Sequence, residues 1–312
     1  MQPQTGNDMW ITLSLISAFL LGFYDIFKKK SVNANAIAPV LFFSTLVSAL
    51  IFLPFILLSH YQPQWFSDGF LTNFYVESIP LKNHLLILGK AFMIMISWVF
   101  SYSAMKNLPI TVVGPINQLR PAISLLLLLI VFQEHLTVNQ WIGVVLAIVS
   151  FYLMNKSGKR EGIKFESNKW VIMLLLSAVI VAISGIYDKF LLSKQHMAPV
   201  TVQSWYSVYL FILMTVFILC VWWKRRKEHP FEWRWSIVLM AVFVSVADCI
   251  YLSGLSQEAA VIVIIPLILN GVRLVVSFSY GALCFKEKNI RSKIIPLLMV
   301  LTALVFLCVQ GK

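Results

Sequence analysis

Trp10–Phe27 is the first of ten apolar runs, and their length constrains the fold more than any other feature of the chain. A helix needs about 20 apolar residues, with a range of about 17–25, to cross a bilayer. The runs are Trp10–Phe27, Ile37–Ser59, His84–Met105, Pro109–Phe132, Val138–Met154, Trp170–Leu192, Pro199–Trp223, Trp235–Leu255, Ala259–Phe285 and Ser292–Val309. In hydrocarbon every backbone polar group must be satisfied within the segment, so runs of this length read as helices. Composition agrees. The 312 residues are 59% hydrophobic and 12% charged, against about 25% charged in soluble domains. The expected fold is an all-α integral membrane protein with ten transmembrane helices. No polar stretch is long enough to fold as a separate soluble domain.

The runs fall into two similar sets. Gly22-Phe23-Tyr24-Asp25 near the end of the first recurs as Gly185-Ile186-Tyr187-Asp188 near the end of the sixth. Ala38-Pro39-Val40 recurs as Ala198-Pro199-Val200. Asn117-Gln118-Leu119-Arg120, followed by Phe132-Gln133-Glu134, recurs as Asn270-Gly271-Val272-Arg273, followed by Phe285-Lys286-Glu287. The order is the same each time. Residues 1–155 form one expected five-helix repeat, 156–169 a polar linker and 170–312 the second repeat. Five is odd, so the second copy is expected to be inverted in the membrane, an arrangement typical of transporters. The linker from His60 to Asn83 carries Trp65, Phe66, Phe70, Phe74 and Tyr75, which suits the membrane interface.

Basic residues cluster in alternate loops. Lys28, Lys29 and Lys30, then Lys156 to Lys169, Lys224 to Arg234, and Lys286 to Lys293 all fall on one side. Positive loops face the cytoplasm, so both termini are expected outside, in a multi-pass protein of a bacterial inner membrane. The net charge of +12 is accounted for by these loops, and nucleic-acid binding is not expected. Met1 to Met9 holds no Lys or Arg, so a cleaved signal peptide is not expected. Cys220, Cys249, Cys284 and Cys308 sit in apolar runs without metal-ligand spacing and read as small buried hydrophobes.

Arg120 and Arg273 carry the chemistry. Each lies deep in an apolar run, where Arg costs at least about 2.5–3.5 kcal/mol on insertion scales and marks a functional site. Asn117 and Asn270 lie three residues earlier, on the same helical face. A guanidinium fork beside an amide suits a carboxylate or phosphate. Each Arg could instead pair with Asp25, Asp188 or Asp248. Inversion sends Asp25 and Asp188 toward opposite membrane faces, as gate residues or proton carriers, or sends Asp25 to the headgroups. Asp248 has Trp98 as its counterpart and breaks the symmetry. It can bind substrate or a coupling ion, or pair with Arg273 or Lys90. Lys90 can also snorkel. Trp98, Tyr102 and Tyr251 either line a cavity or pack. Glu134 and Glu287 read as caps of the next helix.

The Tyr102-to-Pro109 junction and the Pro-containing fourth run resemble the drug/metabolite transporter superfamily, in its EamA-like branch. So does Glu134-His-Leu-Thr-Val-Asn-Gln-Trp-Ile-Gly143. The resemblance implies two inverted five-helix repeats around a central cavity lined by helices one, three, four, six, eight and nine. Its charged pairs depart from the mostly apolar cavities of generic exporters.

The expected function is secondary transport of a small polar or anionic metabolite, of amino-acid or organic-acid class, by alternating access. H+ is the candidate coupling ion. The alternative is a flippase for a phosphate-bearing lipid or polyprenyl carrier. Membrane lipids are the expected surroundings, a homodimer is compatible with the arrangement, and no cofactor is called for. No His/Asp cluster, serine elbow or Gly-rich phosphate loop points to an enzyme.

Overall fold

A computed structural model describes residues 9–67, 70–117, 168–227, 230–257, 264–283 and 290–308, with scattered helical positions from 123 to 153. Helix α1 spans Met9–Val32, α2 Ile37–Tyr61, α3 Leu81–Asn107, α4 Ile110–Asn117, α5 Lys169–Lys189, α6 Pro199–Phe217, α7 Trp235–Leu255, α8 Ile264–Leu283 and α9 Ile290–Cys308. Among the described residues, six helices are long and apolar enough to cross a membrane: α1, α2, α3, α7, and α5 and α6 with their π-helical last turns Phe190–Lys194 and Ile218–Trp222. They correspond to the first, second, third, sixth, seventh and eighth of the ten expected spans. Residues 156–167, Glu134 and Glu287 lie outside the described residues.

Leu15, Ile16 and Phe19 on α1, Leu50, Leu53 and Leu57 on α2, and Leu176, Val179 and Ile183 on α5 are exposed. In water such faces would drive association; in a bilayer they meet lipid. The aromatic linker forms two 3-10 turns, Pro63–Phe66 and Phe70–Phe74. Phe74 stacks on Phe55 of α2 and Phe66 turns inward, while Trp65 stays exposed. Cys220 is exposed on the last turn of α6 rather than buried, because that turn presents its side to the lipid.

Helix ends are closed by basic side chains. Lys29 Nζ donates to the carbonyls of Met105 and Leu108 at the end of α3, 2.7 Å each. Lys189 Nζ donates to Leu255 at the end of α7. Arg234 reaches the carbonyls of Lys30, in the last turn of α1, and Asn33, just after it. Each places positive charge on orphan carbonyls at a helix C-terminus. Lys28, Lys29, Lys30, Lys106 and Arg234 gather where α1 and α3 finish and α7 starts, which defines the basic end of the bundle.

The helices pair in an exchange pattern. α1 packs on α7 and α8, α3 on α5 and α6, α2 on α6 and α7, and α4 on α5 and α8. Exchanging α1 with α5, α2 with α6, α3 with α7 and α4 with α8 maps these pairs onto themselves. The connectors obey the same exchange. Ala34 and His196 both have φ +51°, and each stands three residues before the next helix. This corrects one sequence match. Pro39 is the third residue of α2, whereas Pro199 is the first of α6. The two Ala-Pro-Val strings are therefore two residues out of structural register.

Gly22 lets α1 and α8 approach. A Cβ there would lie 2.6 Å from Val276 Cβ, inside any real contact. Its counterpart Gly185 would meet nothing nearer than the Tyr251 hydroxyl at 3.8 Å. Gly22→Ala is expected to cost about 1–3 kcal/mol through overpacking, and Gly185→Ala to be tolerated. Thermal midpoints of the two purified variants check this contrast.

Candidate functional site

The site is built from stripes at helical spacing. On α3, Lys90, Ile94, Ser97, Trp98 and Ser101 share one face. On α1 the face is Leu21, Tyr24 and Lys28; on α5 it is Val181, Ser184, Gly185 and Asp188. On α7 it is Val244, Asp248, Tyr251 and Leu252. With Tyr206 of α6 and Leu269 and Arg273 of α8, these residues enclose a cavity of about 180 Å³.

Arg273 sits midway along α8 and is held by Asp25 of α1. Its Nη2 donates to Asp25 Oδ1 at 2.6 Å and its Nε donates to Oδ2, a two-point grip. Ser277, one turn beyond, reaches Asp25 Oδ2 at 3.5 Å. The guanidinium also lies 5.6 Å from the Tyr24 ring centre. The side chains are 12% and 7% exposed, so Asp25 is buried behind the cavity-lining Arg273 and does not reach the headgroups.

Asp188 meets Lys90 at 2.7 Å, both nearly buried. The contact is close, but among the described residues Asp188 Oδ1 has no aligned hydrogen bond, so charge attraction carries it. Lys90 lies 4.8 Å from the Tyr206 ring; it does not snorkel to the surface. Ser184 Oγ, one turn before Asp188 on the same wall, is buried without a hydrogen-bond partner among the described residues. Asp248 faces the cavity from α7, half-buried. It makes no hydrogen bond or ion pair with any described residue, so neither Arg273 nor Lys90 is its partner.

Trp98 and Tyr251 line the cavity. Tyr102 does not: it is 0% exposed, one layer behind the wall. Its hydroxyl meets that of Tyr24 at 3.1 Å and donates to Met240 Sδ at 3.3 Å. Above it, Lys28 Nζ donates to Ser101 Oγ at 2.7 Å and sits 4.1 Å from the Tyr102 ring centre. Tyr24, Tyr102, Met240 and Lys28 thus form a closed layer at the basic end. Arg120 lies outside the described residues, as does the side chain of Asn270; Asn117, the last residue of α4, is buried. Among the described residues no three His, Cys, Asp or Glu side chains come together to hold a metal ion.

Sequence reading passed over Lys28, which resembles one more orientation lysine, and Tyr206. The signal for Lys90 and Lys28 was present as spacing, since Lys90-Trp98 and Tyr24-Lys28 recur on one helical face.

The two charge pairs are stacked along the bundle. Lys29 meets Met105 at the basic end. Asp25 lies one turn away, and Lys90 lies fifteen residues up α3. At 1.5 Å per residue, the pairs are about 16 Å apart in depth. Both join helices of the first set to helices of the second. Asp25→Asn strands a buried guanidinium, so a loss of about 3–5 kcal/mol is expected. Combining it with Arg273→Gln is expected to cost less than the sum of the single variants. A double-mutant cycle on thermal or denaturant stability measures the coupling.

No curated protein matches the chain. A protein of known crystal structure superposes with a TM-score of 0.62 at 13% identity, covering 95% of this chain and 96% of that one. That likeness extends the shared fold across both sets of helices. Residues 8–156 match the EamA-like transporter family. That match spans the first set of helices, and the six long apolar helices among the described residues make the chain a multi-pass membrane protein whose first set is similar to this transporter family.

Proposed function

We propose that this protein is a secondary active transporter that moves a small polar metabolite by alternating access between two inverted five-helix halves. The observation that carries this reading is the pair of charge contacts, Asp25–Arg273 and Asp188–Lys90, near opposite ends of one cavity and each joining the two halves. Breaking one pair opens one end while the other stays closed. Charges inside a membrane protein that pair and face an internal cavity mark a transport pathway. The exchange pattern of helix contacts supports the duplicated halves.

The cargo meets Trp98 and Tyr251 as apolar walls, with Ser97, Ser184 and the charged groups as its polar partners. Arg120 and Asn117 of the first set, with Asn270, complete the expected central site beside Arg273. An anion reaches Arg273 only by displacing Asp25 from its fork. Asp25, Asp188 and Asp248 are the carboxylates available to a coupling proton. On this reading the basic end faces the cytoplasm and both termini lie outside, which the positive-inside rule supports. A cavity of about 180 Å³ lined by five charged side chains, Lys28, Lys90, Asp188, Asp248 and Arg273, favours a compact metabolite over an acyl-bearing lipid.

Sided labelling tests the gate assignment. The background has the four native cysteines changed to alanine, and the reporter is Ser97→Cys, probed with an impermeant thiol reagent. Arg273→Lys loses the two-point grip and is expected to raise labelling from the basic side. Asp188→Asn is expected to raise it from the far side. Unchanged sidedness in both variants would remove the two-gate reading. In proteoliposomes, metabolite exchange is expected to depend on an imposed pH gradient; indifference to both polarities rules out proton coupling.

A further inference from the structure

We infer that the cargo of this cavity carries a protonated amine and that Asp248 is its anchor. The inference rests on the transport reading above and names the chemical class that the site takes.

The cavity's own cations are each held in the same way, by an oxygen and an aromatic face. Arg273 has Asp25 and the Tyr24 ring. Lys90 has Asp188 and the Tyr206 ring. Lys28 has Ser101 Oγ and the Tyr102 ring. Asp248 and Tyr251 repeat that combination on α7. They are three residues apart, share a face and both line the cavity. No Lys or Arg among the described residues pairs with this carboxylate.

Depth removes the ordinary alternatives. Asp248 is thirteen residues from the start of α7 and seven from its end, about 20 Å and about 10 Å along the helix. Headgroups and bulk solvent do not reach it along its own helix. An ionised carboxylate without a partner among the described residues is expensive in such a place. A cation delivered through the cavity relieves that cost each time it binds, which is the differential contact a transporter needs between its loaded and empty states. An ammonium over an aromatic ring adds to the attraction.

Charge also argues against an anion. The Arg273 fork is filled by Asp25, Lys90 is engaged by Asp188, and Asp248 would repel a second carboxylate. The volume of about 180 Å³ lies below the roughly 300–1,000 Å³ typical of drug-sized ligands. The class is therefore a compact metabolite with an amino group.

Isothermal titration of the full chain in detergent with three probes of one four-carbon frame tests this: 1,4-diaminobutane, 4-aminobutyrate and succinate. The two amine probes are expected to bind, with succinate at least about tenfold weaker. Asp248→Asn is expected to weaken the amine probes about tenfold to a hundredfold, the range of a charge-assisted hydrogen bond. Asp248→Glu is expected to keep the preference for amine over succinate. The Asn variant should also raise the thermal midpoint of the ligand-free protein, because it removes an uncompensated charge; a lowered midpoint would mark Asp248 as a structural anion and overturn the inference. Succinate binding as tightly as the amines, no binding by any probe, or undiminished amine binding by Asp248→Asn each overturns it as well. A cavity-filling Ile94→Trp variant separates the two levels. If the probes bind and this variant binds them unchanged, the cavity is not the site, and the transport reading fails with it. If it abolishes binding that is selective for succinate, only the amine assignment falls.

Discussion

The close passage of α1 across α8 at Gly22 is the contact on which the charged site depends. Without a side chain at Gly22, Val276 comes within reach of the α1 backbone. Three residues further along α1, Asp25 is then near enough to grip Arg273 at two points. In a bilayer there is no hydrophobic drive to press helices together, since lipid tails are as apolar as leucine. Close packing, hydrogen bonds and paired charges must do it. Serines contribute at three further crossings between the sets: Ser17 to the Ala247 carbonyl, Ser97 with Ser177, and Ser245 with Ser48. The first two are related by the same exchange that maps α1 onto α5 and α7 onto α3.

That exchange holds for the scaffold and fails at the cavity. On α3, Lys90 and Trp98 stand eight residues apart; at the same spacing α7 carries Met240 and Asp248. Met240 accepts the Tyr102 hydroxyl in the closed layer, whereas Lys90 engages Asp188. A duplicated unit needs matching turns to pack on its copy, so Ala34 and His196 keep the same backbone conformation. The cavity has no such demand. Its differences put an ion pair at one level, a carboxylate at another, and make the two ends chemically unequal.

Much of this was legible in the sequence because it obeys local rules. The length of the apolar runs, the Gly-x-Tyr-Asp repeat and the depth of Arg273 each follow from spacing and from the cost of burying charge. What stayed hidden depends on the neighbour. Spacing puts Tyr102 on an inward face but does not say whether Lys28 or open space lies above it. Lys28 sits in a run of three lysines, so the rule that orients the protein masks its place inside the bundle. The Ala-Pro-Val strings looked equivalent because proline is conspicuous, yet the turn geometry at Ala34 and His196 sets the register. Asp248 was recognisable as asymmetric; that it would stand apart from both Arg273 and Lys90 required the third dimension.

The two ends of the cavity are closed by bonds of different quality. At the basic end the two-point Asp25–Arg273 grip is backed by the Tyr24–Tyr102–Met240 layer. Beyond it, the Asn35 side chain donates to the Glu232 carbonyl at 2.8 Å and accepts from its N–H at 3.0 Å. Phe43 then stacks on Phe231 and meets Trp233. At the far end the Lys90–Asp188 contact is a single approach without hydrogen-bond alignment. It is supported by the Tyr187 hydroxyl on the Leu86 carbonyl and by the His84–Tyr209 pair. Paired charges with two aligned hydrogen bonds resist separation more than a single point contact does. The same fork geometry that makes the basic end the firmer closure also takes Arg273 out of competition for an anionic cargo, so strength of closure and choice of cargo are two consequences of one interaction.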